Sequence, residues 1–257
     1  MQGDKFRFRF RKTGPLRLLS HLDLARCLER TARRAKVPFK MSAGFHPQPR
    51  MIFALSLPLG AEGRQEIVEF ELKEVLDDQD VLNRLQAHSP PGFDFESVQV
   101  VPMKTCAMPR RVVYTLPIPA ERVETANQRI AEVLAQDQVW VSRVKPKPRR
   151  LNIKPYLRHL EITDKTLSLD LWVTQSGSAR ADELLRTLNL FDLLDAGAIL
   201  ERSELQVHDE TPASELDAPP TAAPETAPLA STPAMSAEDD RPNDPEWGLS
   251  PNGPVVE

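Results

Sequence analysis

His21 and His46 bracket the most basic part of the chain, with Lys40 between them in sequence. These residue types can cut RNA without a metal. One imidazole takes the proton of an attacking hydroxyl, the other protonates the leaving group, and an ammonium steadies the charge that develops. His21 and His46 are therefore the candidate catalytic pair, while His88, His159 and His208 stand alone in their segments. The two cysteines, Cys27 and Cys106, are far apart and match no zinc or iron–sulfur spacing, so neither a metal nor a cofactor is expected.

The cations suggest a different chemistry, that of holding a polyanion. The first 60 residues carry thirteen Lys/Arg against three Asp/Glu (13 − 3 = +10), in a chain whose overall charge is −4. In KFRFRFRK, residues 5–12, alternation puts Phe6, Phe8 and Phe10 on a core face and Arg7, Arg9 and Arg11 on the other. Along LSHLDLARCLERTARRAK, Arg26, Arg30 and Arg33 share one side of a helix, opposite Leu24, Leu28, Thr31 and Ala35. The loop KMSAGFHPQPRM, stiffened by Pro47 and Pro49, displays His46, Gln48 and Arg50 beside Lys40. Residues 143–158, RVKPKPRRLNIKPYLR, add seven Lys/Arg and no carboxylate. There Lys145, Lys147, Arg149, Arg150 and Lys154 would meet phosphates and Tyr156 would stack on a base. Glu69 and Glu71 in QEIVEFELK offer the strand arginines a competing fate, cross-strand pairs of roughly 0.2–1 kcal/mol each.

The elements that would position these groups fall into two similar halves. The first half reads as a strand at 5–12, a helix from His21 to Lys36, a hairpin of RMIFALSLPLG and QEIVEFELK joined by AEGR, a helix at 77–87 and a strand at 94–101. In the second half the order recurs as RVVYTLPI, AERVETANQRIAEVLAQ, a hairpin turning at Asp164–Lys165, RADELLRTLNLF and AILERSELQV. Strand, helix, strand, strand, helix, strand predicts an α+β chain of two tandem ferredoxin-like domains, 1–104 and 105–211, each with two helices on one face of a four-stranded sheet. Residues 138–155 exceed what one strand requires. Residues 212–257 hold nine acidic side chains and one basic (1 − 9 = −8), are rich in Pro and Ala, and are expected to be a disordered tail in which DPEWGL is a candidate docking motif. No run of eighteen apolar residues exists and MQGDKFRFRF lacks a signal-peptide core, which predicts a cytoplasmic protein with no membrane association.

The stretch RFRKTGPLRLLSHLDLARCLERTARRAKVPFKMSAGFHPQPRMIFALSLPLG resembles the start of the radical-SAM-linked conserved domain, and NIKPYL and GSARADELLRTLNL resemble its later part. This chain has Gln48 where that family often shows a histidine. The resemblance implies work beside a cobalamin-binding radical SAM protein. The close cysteine trio that would hold a radical SAM cluster is absent from the sequence, so radical chemistry would belong to the partner. Three functions are in view. The first is an RNA-binding accessory module in tRNA or rRNA modification, with structured RNA on the open sheet face. The others are a protein-interaction adaptor for the radical SAM enzyme and a metal-independent histidine endoribonuclease.

Overall fold

Phe6, Phe8 and Phe10 are fully buried, and they explain why the first half folds as it does. Their strand, β1 (Lys5–Lys12), leads through a short 3-10 turn at Gly14–Leu18 into α1 (His21–Arg34). There follow β2 (Met51–Phe53), β3 (Glu62–Glu71), α2 (Asp78–His88) and β4 (Phe93–Val101). Phe8 packs 5.1 Å from Phe70 of β3, and Phe10 packs 4.9 Å from Phe93 of β4, between ring centroids. Leu24 and Leu28 of α1 and Val81 and Leu85 of α2 close this core. Each such side chain contributes about 1.5–3 kcal/mol by leaving water. The computed structural model describes residues 5–43, 45, 47–144, 148–211 and 225–227.

The second half comprises β5 (Pro109–Pro117), α3 (Ala120–Ala135), β6 (Trp140–Arg143), β7 (Arg149–Asn152), β8 (Leu157–Thr163), β9 (Thr166–Thr174) and β10 (Gly177–Ser178). It continues with α4 (Ala181–Thr187), α5 (Asp192–Asp195) and β11 (Glu201–Val207), and a last short strand is β12 (Thr226–Ala227). In the first half the strands lie in the order β4-β1-β3-β2, every neighbour antiparallel. In the second they lie in the order β11-β5-β9-β8, again antiparallel. A parallel contact, Glu201 opposite Glu62 and Arg202 opposite Gly63, fuses the two sets, so the molecule is an α+β protein built on one mixed nine-stranded sheet. No helix among the described residues is long and apolar enough to cross a membrane.

The fusion decides what the arginines of β1 face. Neighbouring residues of β3 enter different cores, Val68 the first and Ile67 the second, so the cores flank opposite faces of that strand. Arg9 stands opposite Ile67 in register. The arginine face of β1 thus turns toward the side on which the second half packs, where an isolated domain would have left it open.

Three segments differ from the sequence expectation. The hairpin strand before AEGR is only β2, because the Leu55 and Ser56 carbonyls accept from the buried Arg202 guanidinium (3.0 and 3.2 Å) and not from a ladder partner. The helix expected over RADELLRTLNLF breaks at Asn189, whose φ of 57° is left-handed, and resumes as α5. Within residues 138–155 two strands, β6 and β7, pair antiparallel, and Thr226–Ala227, inside the stretch expected to be disordered, pairs with β7 as β12. The turn at Asp164–Lys165 is as expected, both residues having positive φ (50° and 61°) as a two-residue hairpin of that kind demands.

Candidate functional site

α1 begins at a built cap. The Ser20 hydroxyl accepts from the Asp23 backbone N–H (3.2 Å) and donates to the Asp23 carboxylate (2.7 Å). That hydroxyl bond, with Arg26 beside it, holds the Asp23 carboxyl below the usual carboxylate range. The helix buries Leu24, Leu28, Thr31 and Ala32, and leaves His21, Arg26, Arg30, Arg33 and Arg34 exposed. Arg26 meets Asp23 at 3.2 Å and Arg33 meets Glu29 at 2.7 Å, both local pairs in water. Arg30 makes no ion pair or hydrogen bond among the described residues. Four arginines against two carboxylates leave this exposed face with a surplus of two positive charges (4 − 2).

The loop after α1 is closed on itself. Ser42 N–H donates to the Gln48 carbonyl (2.7 Å), Gln48 N–H to the Ser42 hydroxyl (2.9 Å), and Arg50 N–H to the Lys40 carbonyl (2.8 Å). This ring sets Gln48 against α1 across a cleft of about 300 Å³ whose lining includes His21, Leu22, Arg26, Glu29, Gln48 and Phe53. The His21 ring stands edge-on to Phe53 with centroids 4.9 Å apart. The structure therefore brings together three of the expected residues, His21, Arg26 and Gln48. His46 lies outside the described residues, as do Lys145 and Lys147. Lys40 and Arg50 both approach Glu71, at 3.4 and 3.0 Å.

The arginines of β1 are placed differently. Arg7 is 2 % exposed, and its guanidinium is held by Glu69 (2.8 Å), Asp209 (2.7 Å) and Glu210 (2.9 Å). Burial alone would lower its pKa, but the hydrogen bonds of these carboxylates outweigh it and raise it. Arg9 also pairs with Glu210, and Arg11 approaches Glu96 at 3.6 Å. The open phosphate-binding sheet face expected for Arg7 is thus a buried ion cluster. Glu69 is one partner as anticipated, whereas Glu71 serves Arg50. Asp209 and Glu210, which sequence reasoning missed, sit just beyond β11, and their only signal is an acidic pair (HDE) after the final strand.

In the second basic stretch Tyr156 is 1 % exposed and belongs to the second core, so no ring is presented to a base. Lys154 donates to the Val133 carbonyl at 3.4 Å and to that of Leu134 at 2.5 Å, capping the end of α3. Arg149 and Arg150 remain exposed, Arg150 lying 5.2 Å over the Trp140 ring. Two further features carry no sequence signal. One is the buried Arg202, bound to Glu66 (2.8 Å) and Tyr114 (3.3 Å) where the halves join. The other is a cavity of about 480 Å³ lined in part by Arg17, Leu59, Asp182, Arg186 and Phe191. No group of three His, Cys, Asp or Glu among the described residues could hold a metal.

An α+β chain on a mixed nine-stranded sheet, with a polar cleft beside an arginine-bearing helix, is the class this architecture defines. Within that class, residues 5–182 match the family model described as an uncharacterised protein conserved in bacteria (DUF2344), and the chain belongs to that family. No curated protein matches. Among solved structures, the crystal structure of an unknown protein from Galdieria sulphuraria aligns over 80 % of this chain and 99 % of its own, at 9 % identity and a TM-score of 0.27.

Proposed function

We propose that this chain is an RNA-binding accessory module without catalytic activity of its own, working in the cytoplasm beside a cobalamin-dependent radical SAM enzyme in tRNA or rRNA modification. The reading treats each half as a ferredoxin-like unit, supported by the strand orders β4-β1-β3-β2 and β11-β5-β9-β8 with a helix after the first and third strand of each set. The radical SAM partner rests on the sequence resemblance alone. The RNA reading rests on one observation, the exposed positive surplus of Arg26, Arg30, Arg33 and Arg34 along α1 beside the Gln48 cleft. Arg26–Asp23 is a pair held in open water, where such pairs contribute little, so phosphates can replace the carboxylate at little cost. Crosslinking in cell extract tests this, with RNA and protein identified from the same recovered complex. One enriched tRNA or rRNA species together with a radical SAM protein is the expected result, and recovery without RNA would reject the RNA reading.

The adaptor reading has its own observation. Leu22 on α1 is 68 % exposed, and Leu18, just before α1, shares a cavity wall with Leu59, the two being 61 % and 70 % exposed; such apolar surface suits a protein partner. A radical SAM protein recovered without RNA would favour it.

A further inference from the structure

β7 is a middle strand only because β12 covers one of its sides, in the order β12-β7-β6. Without β12 it would be the edge of a two-stranded ribbon separate from the large sheet, with backbone donors and acceptors ready for another strand. The covering segment is very short. Thr226 lies opposite Leu151 and Ala227 opposite Arg150, and Asn152 N–H donates to the Glu225 carbonyl at 3.0 Å. In that register Ala227 and Arg150 form the pair that exchanges backbone hydrogen bonds. One side-chain hydrogen bond adds selectivity, since the Gln138 amide donates to the Glu225 carboxylate at 2.7 Å. The accepting strand favours an acid as well, because Arg149 and Arg150 of β7 are both exposed.

So few bonds hold a segment only when it is tethered. Glu225 is 14 residues beyond Thr211 (225 − 211), the last described residue before it. Attachment within one chain over so few residues gives an effective concentration of about millimolar. We propose that the β7 edge is a strand-accepting site for a short, acidic, extended peptide. It is occupied in cis by Glu225–Ala227 and accepts in trans a segment of the same chemistry from a protein partner. Neither the edge nor its occupant depends on the RNA reading of α1.

Hydrogen exchange on the full chain and on Ala227→Pro tests the proposal, since proline at 227 removes the N–H that β12 donates to β7. The amides of Arg150 and Asn152 should exchange at least tenfold faster in the variant. A synthetic peptide TAAPETAPLA at about millimolar concentration should restore their protection in the variant and change little in the parent, whose edge is already filled. A peptide TAAPKTAPLA should protect at least tenfold less well. Equal exchange in parent and variant, or no protection by the acidic peptide, would overturn the site. Equal protection by both peptides would overturn its preference for an acid, and protection by total tRNA in place of the peptide would reassign the edge to nucleic acid.

Discussion

β1 and α1 each present a row of three or more arginines, and the two rows meet opposite fates. On β1, Arg7 is buried against Glu69, Asp209 and Glu210, partners 62 to 203 positions away. On α1, Arg26 and Arg33 meet carboxylates three and four positions away and stay in water. Periodicity tells which side of an element a cation occupies, and distant chain decides whether that side is solvent. A buried cluster stabilises the junction between the halves, whereas loosely paired surface cations remain free to bind.

The sharpest way to break this contrast is Arg7→Gln. It leaves the buried Glu69 with Lys5, 2.6 Å away, where it had two cations, and loss of one member of a buried pair costs about 3–5 kcal/mol. Asp209 and Glu210 are partly exposed, which places the expected loss near the lower figure, read by urea unfolding, with RNA binding per folded molecule unchanged. A smaller loss, together with weaker RNA binding, would put β1 back in the interface.

The reverse pattern is expected for the triple change Arg26→Gln, Arg30→Gln, Arg33→Gln. Stability should fall by less than about 1 kcal/mol, because surface pairs contribute little. Binding to total tRNA should weaken, and the slope of log affinity against log salt should flatten by about one for each phosphate no longer neutralised. Titration at three salt concentrations measures both.

His21→Ala probes the same cleft for chemistry. RNA incubated with the parent in chelator should stay intact. Metal-free cleavage by the parent that His21→Ala slows a hundredfold or more would restore the endoribonuclease reading.

The smallest expected effect is electrostatic. Asp23 is held below its ordinary pKa by Ser20 and Arg26, so its folded carboxyl binds protons less readily than the unfolded one. Its stabilising contribution is then fully present above the unfolded value and is lost as pH falls through the folded one. Asp23→Asn should therefore lower the midpoint of thermal unfolding slightly at neutral pH, and the difference should vanish in acid. A constant difference across pH would assign the effect to helix capping by shape alone.

Much of the architecture was legible from local pattern. The Phe alternation set β1, Ser20 with Asp23 set the start of α1, and Asp164–Lys165 set a hairpin turn. Less could be read where remote groups override local preference. Arg202 takes the carbonyls of Leu55 and Ser56 and shortens β2, and Asp209 and Glu210 close over Arg7 from the far end of the chain. Of the candidate site, the helix and the loop were legible as carriers of His21, Arg26 and Gln48, but the cleft that brings the three together was not, because it depends on how the loop folds back on α1. Tyr156 was misjudged because an aromatic in a basic, Pro-rich stretch looks exposed, yet its ring fills the second core. The strand at 226–227 had no local signal at all, since its pairing comes from the edge of β7.

The central claim is that α1, and not the sheet face of β1, is the surface that meets RNA. Hydrogen exchange of the full chain with and without saturating total tRNA tests it most directly. The account predicts slowed exchange in peptides covering α1 and residues 47–53, with β1 unchanged. Protection confined to β1, or none anywhere while the tRNA is bound, would contradict it.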